Sequence, residues 1–201
     1  MDITAHDINL RIAAQARSLR AAMRLSLQAL ALRSGVSRSM ISLIERGEAS
    51  PTAVVLERLS VGLGVPLARL FDPPADQAVA PHPLARRAQQ LQWRDPASGY
   101  LRRNVSPAHW PSPIRIVEVD FPAGARVAYE TGSRDPPVYQ QLWLLSGRLR
   151  VTLGDEQHRL DAGDCLAMLL DRPIVFANRT RHAARYLVVI SAETPCSGRP
   201  A

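Results

Sequence analysis

Apolar residues in the first third of the chain recur every three or four positions, which is the spacing of amphipathic helices. The first stripe comprises Ile8, Ile12, Ala16, Leu19 and Met23. A later stripe of Leu56, Leu59 and Leu63 predicts a fourth helix, and Leu67–Phe71 predict a fifth helical turn. The pattern therefore predicts a five-helix domain over residues 1–71 with a small apolar core.

Between these stripes, residues 26–46 predict two short helices joined by a tight turn. Ser26 and Ser37 can each accept a hydrogen bond from the free amides of a first helical turn. Gly35 stands where the chain must reverse and where a left-handed backbone is needed. The predicted outer side of the second helix is small, polar or cationic and comprises Arg38, Ser39, Ser42, Leu43 and Arg46. A helix pair with such an outer side is typical of a DNA-binding helix-turn-helix.

The stretch from Asn9 to Phe71 resembles the lambda-repressor-like (XRE) helix-turn-helix domain. The segments that carry the resemblance are LRAAMRLSLQALALRSGVS, SRSMISLIERGEASPT and LERLSVGLGVPLARLF. The resemblance implies a structural ion pair between Arg20 and Glu45, which would link the first helix to the end of the third.

The helix pair also predicts how DNA is contacted. Base contacts are expected from Arg38, Ser39 and Leu43, because Arg can pair bidentately with guanine and Leu can contact a thymine methyl group. The resemblance implies phosphate contacts around the ends of the second and third helices. The candidates are Ser26, Gln28, Ser42 and Arg46.

From residue 91 the pattern changes to short apolar segments separated by turn residues. The segments predict strands at Tyr100–Val105, Ile114–Phe121, Tyr139–Leu145, Leu149–Leu153, Cys165–Leu169, Ile174–Phe176 and Tyr186–Ile190. Such spacing favours an all-β barrel or sandwich over residues 91–191. The Pro-rich stretch 72–90 is predicted to be a linker, and residues 192–201 a flexible tail. The expected fold class is therefore α+β with two domains.

Residues 107–191 resemble the cupin fold, a double-stranded β-helix or jelly-roll barrel. The resemblance is carried by FPAGA, LWLLSGRLRVTLGDEQHRLDAGDCLAM and DRPIVFAN. Gly147 and Gly163 stand where this family places tight corners.

The positions that ligate metal in metal-binding cupins carry poor ligands in this chain. Gln140 stands at the Glu position, Ile174 stands at the last His position, and Ser133–Pro137 cover the His-x-His region without a His. A first-row metal needs imidazole or carboxylate donors here, so neither a metal nor another cofactor is expected.

Strand alternation predicts an apolar barrel interior with two amides, Gln140 and Asn178. The apolar members of this predicted interior are Leu142, Leu144, Ile174 and Phe176. An apolar cavity with a few polar groups is typical of a small-molecule site. A filled core with satisfied amides is the alternative, and the sequence leaves both open.

Composition gives the net charge of the chain and indicates the cellular compartment that is expected. The formal net charge is +7, and all 25 basic residues are Arg, which suits contact with phosphate. No apolar run is long enough to span a membrane. Cys165 and Cys196 have neither metal-ligand nor disulfide spacing, so a reducing cytoplasm is expected, with Cys165 as a small buried apolar residue.

Together these features predict a cytoplasmic transcriptional regulator. Its helix-turn-helix would bind a double-stranded DNA operator in a sequence-specific way, and its cupin domain would form a homodimer and sense a small molecule without metal. Two alternatives remain: a metal-dependent cupin enzyme with an accessory DNA-binding domain, and an antitoxin-like interaction protein.

Overall fold

The N-terminal domain of the computed structural model is helical and its C-terminal domain is made of strands. The structure describes residues 5–72, 80–130 and 137–192. The helices are α1 (Ala5–Ala22), α2 (Leu27–Ser34), α3 (Arg38–Glu45) and α4 (Ala53–Gly62). Leu67–Phe71 form a 3-10 helix, so the described residues contain four α-helices rather than the five predicted. Five residues between Pro66 and the extended Asp72 leave room for i to i+3 hydrogen bonds but hardly for an α-helix.

Local signals explain where α2 and α3 begin. The Ser26 hydroxyl accepts a hydrogen bond from the amide of Ala29 at 3.0 Å, and the Ser37 hydroxyl accepts one from Met40 at 3.2 Å. Gly35 ends α2 in the left-handed region with φ 64°. The predicted caps and turn are therefore confirmed.

The apolar stripe of α1 is shorter than predicted. Ile8, Ile12 and Ala16 are buried, whereas Met23 is 41% exposed. The reason is that α1 ends at Ala22 and Arg24 takes a positive φ of 53°, which turns the chain away from the core.

The described residues of the C-terminal domain form ten strands. They are β1 (Gln92–Arg94), β2 (Leu101–Asn104), β3 (Ile114–Phe121), β4 (Arg126–Tyr129), β5 (Val138–Ser146), β6 (Arg148–Leu153), β7 (Glu156–Asp161), β8 (Cys165–Leu169), β9 (Ile174–Ala177) and β10 (Ala184–Ala192). The sequence missed β1, β4 and β7. The first two are short, and β7 buries only Leu160.

The strands form two antiparallel sheets rather than one closed barrel. The six-stranded sheet has the order β1-β2-β3-β10-β5-β8, and the four-stranded sheet has the order β4-β9-β6-β7. Among the described residues no strand pairing joins the sheets, so the predicted barrel is observed as a sandwich. Phe121, Leu142, Leu144 and Val151 lie in its core, each at most 1% exposed.

The two domains pack directly against each other. The rings of Phe71 and Trp93 lie 5.6 Å apart between centroids. The buried Asp95 carboxylate accepts a hydrogen bond at 2.9 Å from the amide of Ala53, the first residue of α4. A carboxylate at a helix N-terminus satisfies a free amide and opposes the helix dipole favourably. The described part of the predicted linker, residues 80–90, contains a 3-10 turn at Arg87–Gln89.

One outward-facing residue corrects the sequence prediction. Cys165 is exposed rather than buried. It lies on β8, the last strand of the six-stranded sheet, opposite Trp143 of β5 on the outer face. Cys196 lies outside the described residues. In the described part of the chain, no helix is long and apolar enough to cross a membrane.

The corner at Gly147 generates a stability prediction. Its φ is 80°, and a Cβ added there would lie 2.6 Å from the carbonyl oxygen of Ala183. Gly124 has a similar φ of 73°, but no atom of the described residues lies within 4 Å of a Cβ added there. Gly124→Ala should therefore lower the free energy of unfolding by about 1 kcal/mol through backbone strain alone. Gly147→Ala should lower it by about 3 kcal/mol or more, because the neighbouring backbone must also shift. Urea unfolding of both variants checks this, and equal losses would contradict the close approach.

Candidate nucleic-acid interface and interdomain cavity

Helix α3 presents one buried side and one exposed side. Ile41 and Ile44 are each 1% exposed and face the core of the helical domain. Arg38 and Ser39, in the first turn, are exposed, and the predicted contact residue Leu43 is half-buried. The structure thus places the predicted base-reading residues around the start of α3, with Leu43 about one turn further on.

The predicted phosphate contacts fall into two groups. Ser26 and Gln28 are exposed at the start of α2, where the Ser26 hydroxyl already accepts the capping hydrogen bond. A hydroxyl that accepts a hydrogen bond still has a proton to donate. Ser42 and Arg46 form the second group, at the other end of α3.

Arg46 is engaged within the protein by a residue that the sequence reasoning overlooked. Its Nε and Nη2 atoms donate to the two carboxylate oxygens of Glu48 at 2.8 and 2.7 Å, and its Nη1 atom donates to the Ser42 hydroxyl. This hydrogen bonding lowers the pKa of Glu48 and raises that of Arg46. A phosphate that approaches Arg46 would therefore have to compete with Glu48. The signal was visible in the sequence as two opposite charges, two residues apart.

A second bidentate pair joins α1 to the end of α3. The Nε and Nη2 atoms of Arg20 donate to the two carboxylate oxygens of Glu45, each at 2.7 Å. The Nη1 atom of Arg20 also donates to the carbonyl of Leu25 at 2.8 Å, and Arg17 donates to the carbonyl of Glu45. The hydrogen bond to Glu45 raises the pKa of Arg20. These contacts hold α3 at a fixed angle to α1 and leave its outer side free for other contacts.

The six residues predicted to form the barrel interior lie in three different environments, and Asn178 alone occupies the third. Gln140, Ile174 and Phe176 line a cavity of about 70 Å³ between the domains. Leu142 and Leu144 are fully buried and fill the core instead.

Asn178 orders a loop and does not line the cavity. Its Nδ2 atom donates to the carbonyls of Phe121, Pro122 and His182 at 3.3, 3.1 and 2.8 Å. Its Oδ1 atom accepts hydrogen bonds from the amide and the hydroxyl of Thr180. The hydrogen-bonding groups of Asn178 are used by the surrounding backbone and by Thr180, which favours the alternative of a satisfied amide at this position.

The cavity includes residues that no local sequence signal places together. Glu57, Pro66 and Leu67 come from the helical domain, whereas Tyr100 and Tyr129 come from the β domain. The two Tyr hydroxyls lie 3.2 Å apart. Burial raises the pKa of Tyr100 to about 12, so its hydroxyl is neutral at physiological pH. The amide of Gln140 donates to the sulfur of Met168 at 3.7 Å.

No group of three or more His, Cys, Asp or Glu side chains that could hold a metal ion occurs among the described residues. Most of the predicted His-x-His region, residues 133–136, lies outside them. Gln140 and Ile174, at the two other ligand positions, face the cavity with an amide and an alkyl group.

Comparisons with known proteins agree with the helical site. The helix-turn-helix family model HTH_3 matches residues 17–70. The HTH-type transcriptional regulator SutR of Escherichia coli (strain K12) is 45% identical over 49 residues, which are 24% of this chain and 28% of that protein. This chain thus spans less than a third of that curated relative. Residues 17–70 thus match a helix-turn-helix family model, in agreement with the geometry of α2 and α3.

Solved structures extend the comparison to the whole chain. The crystal structure of an HTH_3 family transcriptional regulator from Vibrio cholerae matches with a TM-score of 0.76 and 23% identity, over 95% of this chain and 100% of that chain. The two proteins therefore share a fold in both domains. The cupin domain of an XRE family regulator from Enterobacter cloacae also matches, with a TM-score of 0.41 and 13% identity over 47% of this chain and 98% of that chain.

The Arg20 pair generates the second prediction. The side chain of Glu45 is 6% exposed and that of Arg20 is 19% exposed. Glu45→Ala should lower the free energy of unfolding by about 3 kcal/mol, because it leaves a largely buried guanidinium without its carboxylate. Glu48→Ala is the matched control, since the Arg46–Glu48 pair is exposed and should contribute little to stability. Thermal unfolding of the two variants measures the difference, and equal melting temperatures would show that burial of the pair has no energetic weight.

Proposed function

We propose that this protein is a transcriptional regulator that binds a double-stranded DNA operator in a sequence-specific way. The observation that carries the proposal is the exposed first turn of α3, which places Arg38 and Ser39 on the outer side of an XRE-type helix-turn-helix. In such a domain the N-terminal part of the second helix of the pair contacts base edges in the major groove.

Base reading is assigned to Arg38, Ser39 and Leu43. Arg38 can donate two hydrogen bonds to O6 and N7 of one guanine, which is the commonest specific contact in the major groove. Ser39 can donate to either purine or accept from an amino group, and Leu43 offers apolar contact to a thymine methyl group. The bidentate Arg20–Glu45 pair supports this role, because it holds the helix that carries all three side chains.

Phosphate contacts are assigned to both ends of the helix pair. Ser26 and Gln28 lie at the N-terminus of α2, where backbone amides and the helix dipole favour an anion. Ser42 and Arg46 lie at the far end of α3 and would exchange the Glu48 carboxylate for a phosphate. The net charge of +7 adds a general attraction to DNA.

The β domain is assigned to homodimerisation through the outer face of its six-stranded sheet. Ile114, Tyr139 and Trp143 are 46%, 46% and 50% exposed on this face. Strand β10 lies between them, with Leu187 directly opposite Trp143. Large apolar side chains clustered on one sheet face are typical of a protein interface. A second copy is the expected occupant, because a two-fold dimer lets two helix-turn-helix units bind successive half-sites of one operator.

The interdomain cavity supports the remaining part of the proposal, metal-free sensing of a small molecule. Its lining combines Gln140 and Phe176 of the β domain with Glu57 and Leu67 of the helical domain. A guest bound there contacts both domains at once. It can change operator affinity to the extent that it binds two arrangements of the domains with different affinities.

Arg38→Ala tests the assignment of base reading. In an operator selected from random DNA, the substitution should cost about 1–3 kcal/mol and relax the preference at one base-pair position. Arg46→Ala serves as the comparison, because it also removes one Arg, at the C-terminal end of α3. It should weaken binding to all sequences and reduce the slope of log K against log salt concentration by about 0.9. Fluorescence anisotropy with single-base operator variants measures both effects.

Two outcomes would contradict these assignments. Uniform weakening by Arg38→Ala at every base pair would make Arg38 a phosphate contact. An unchanged salt slope for Arg46→Ala would show that Arg46 stays paired with Glu48 on DNA. Failure of the unmodified protein to select any sequence would contradict the function itself.

Trp143→Glu tests the dimer interface. A charge at the centre of the apolar face should shift the protein from dimer to monomer and weaken operator binding, since the second half-site no longer binds cooperatively. Trp110→Glu is the matched control, because Trp110 is also exposed, at 37%, but precedes β3 in a loop. Sedimentation equilibrium gives the association state. A Trp143→Glu protein that remains dimeric would place the interface elsewhere.

A further inference from the structure

Arg102 of β2 is a buried cation with an unused hydrogen-bond donor. The residue is only 6% exposed. Its Nη2 atom is buried and has no hydrogen-bond partner in the described part of the chain. Arg102 also lines the interdomain cavity. A buried guanidinium N–H without an acceptor costs folding free energy, and its position beside a cavity leaves it able to bind an acceptor from outside the chain.

The rest of the Arg102 side chain is held in place. Its Nε atom donates to the side-chain oxygen of Asn104 at 3.3 Å, and its guanidinium lies 5.2 Å from the ring centroid of Phe71. Neither of these two contacts is with a carboxylate, because one partner is an amide and the other is an aromatic ring. The neighbouring Arg103 also has buried donors without a partner among the described residues, Nε and Nη1, but its charge is paired with Glu118 at 2.6 Å. Arg102 is therefore a positioned cation that can bind an anion with little further ordering.

The other residues that line the cavity limit the charge and the size of the anion. Tyr100 offers a neutral hydroxyl that can donate a hydrogen bond, and Ile174 and Phe176 form an apolar wall. Glu57 also lines the cavity, and its carboxylate disfavours a second negative charge on the ligand. The volume of about 70 Å³ is that of a few water molecules, so only a few carbon atoms fit.

We propose that this interdomain cavity binds a short-chain monocarboxylate. Its carboxylate accepts hydrogen bonds from Arg102 Nη2 and the Tyr100 hydroxyl, and its alkyl chain lies against Ile174 and Phe176. Because the guanidinium also stacks on Phe71 at the end of the helical domain, an anion that binds Arg102 acts on the contact between the domains. The inference rests on the proposed function only for the consequence on DNA; the binding itself is independent of it.

The test uses the full-length protein and four probes: acetate, propionate, butyrate and valerate. Isothermal titration calorimetry should detect binding of at least one acid, with at least tenfold weaker binding of the amide of the same length. Arg102→Gln should abolish this preference for the acid. Arg159→Gln removes one charge from an exposed position on β7, in the other sheet, and should leave acid binding unchanged.

The outcomes separate the alternatives. Equal affinity for an acid and its amide, or no binding of any acid at millimolar concentration, overturns the proposal. If Arg102→Gln fails to fold, Ile174→Trp fills the apolar side and should abolish binding of the acids, with circular dichroism as the check on folding. Repeating the operator titration with the bound acid tests the consequence for DNA: a changed affinity supports the coupling, and an unchanged affinity overturns the coupling alone. Acid binding by a protein that selects no DNA would overturn the proposed function and leave this site intact.

Discussion

A continuous row of aromatic rings joins the two domains and fixes how the helices proposed to bind DNA pack against the sandwich. It begins with Phe71 against Trp93, then passes to Tyr100 and Phe121, at centroid distances of 5.6, 5.8 and 5.9 Å. Tyr186 follows, and beyond it Phe176 and Tyr129 complete the row, each 6.0–6.2 Å from the ring before it. Tilted and edge-on pairs of this kind stabilise by about 0.5–1.5 kcal/mol each beyond the burial of their area. Because the row crosses the boundary, the helical domain cannot rotate freely without losing the Phe71–Trp93 contact.

The polar contacts at the same boundary depend on this packing. Asp95 accepts the hydrogen bond from the amide of Ala53 at the N-terminus of α4, and Trp93, two residues earlier, packs against Phe71. Arg58 of α4 pairs with Glu130 at the edge of the sandwich, where both side chains keep substantial exposure and the pair adds little stability. The buried contacts therefore determine how the two domains are arranged, and the exposed Arg58–Glu130 pair contributes little. The same packing leaves the small cavity beside Arg102, which joins the region of proposed ligand binding to the helices proposed to bind DNA.

Two Arg–Glu pairs that differ in burial lie close together at the end of α3. Glu45 is buried and holds Arg20, whereas Glu48, three residues later, is exposed and holds Arg46. The two carboxylates differ in burial, and therefore in the free energy that is lost when each is separated from its Arg. Loss of the buried pair would disturb the angle between α1 and α3, whereas the exposed Arg46–Glu48 pair can separate at small cost. The first pair fixes the position of α3, and the second lies where a phosphate contact is proposed.

The sequence by itself determined the elements whose signals are local. Capping by Ser26 and Ser37, the turn at Gly35, the corner at Gly147 and most strands were predictable, because each depends on a few neighbouring residues or on period. The prediction for Met23 failed because helical periodicity was extended past the end of α1. The prediction for Cys165 failed because a buried position was assumed on the last strand of a sheet. Only the tertiary structure decided that Asn178 orders a loop, that two sheets form a sandwich, and that Arg102 faces a cavity shared by both domains. These depend on contacts between residues far apart in the chain, such as Arg102 with Phe71 and Asn178 with Phe121, and no local pattern specifies which distant group will satisfy a buried donor.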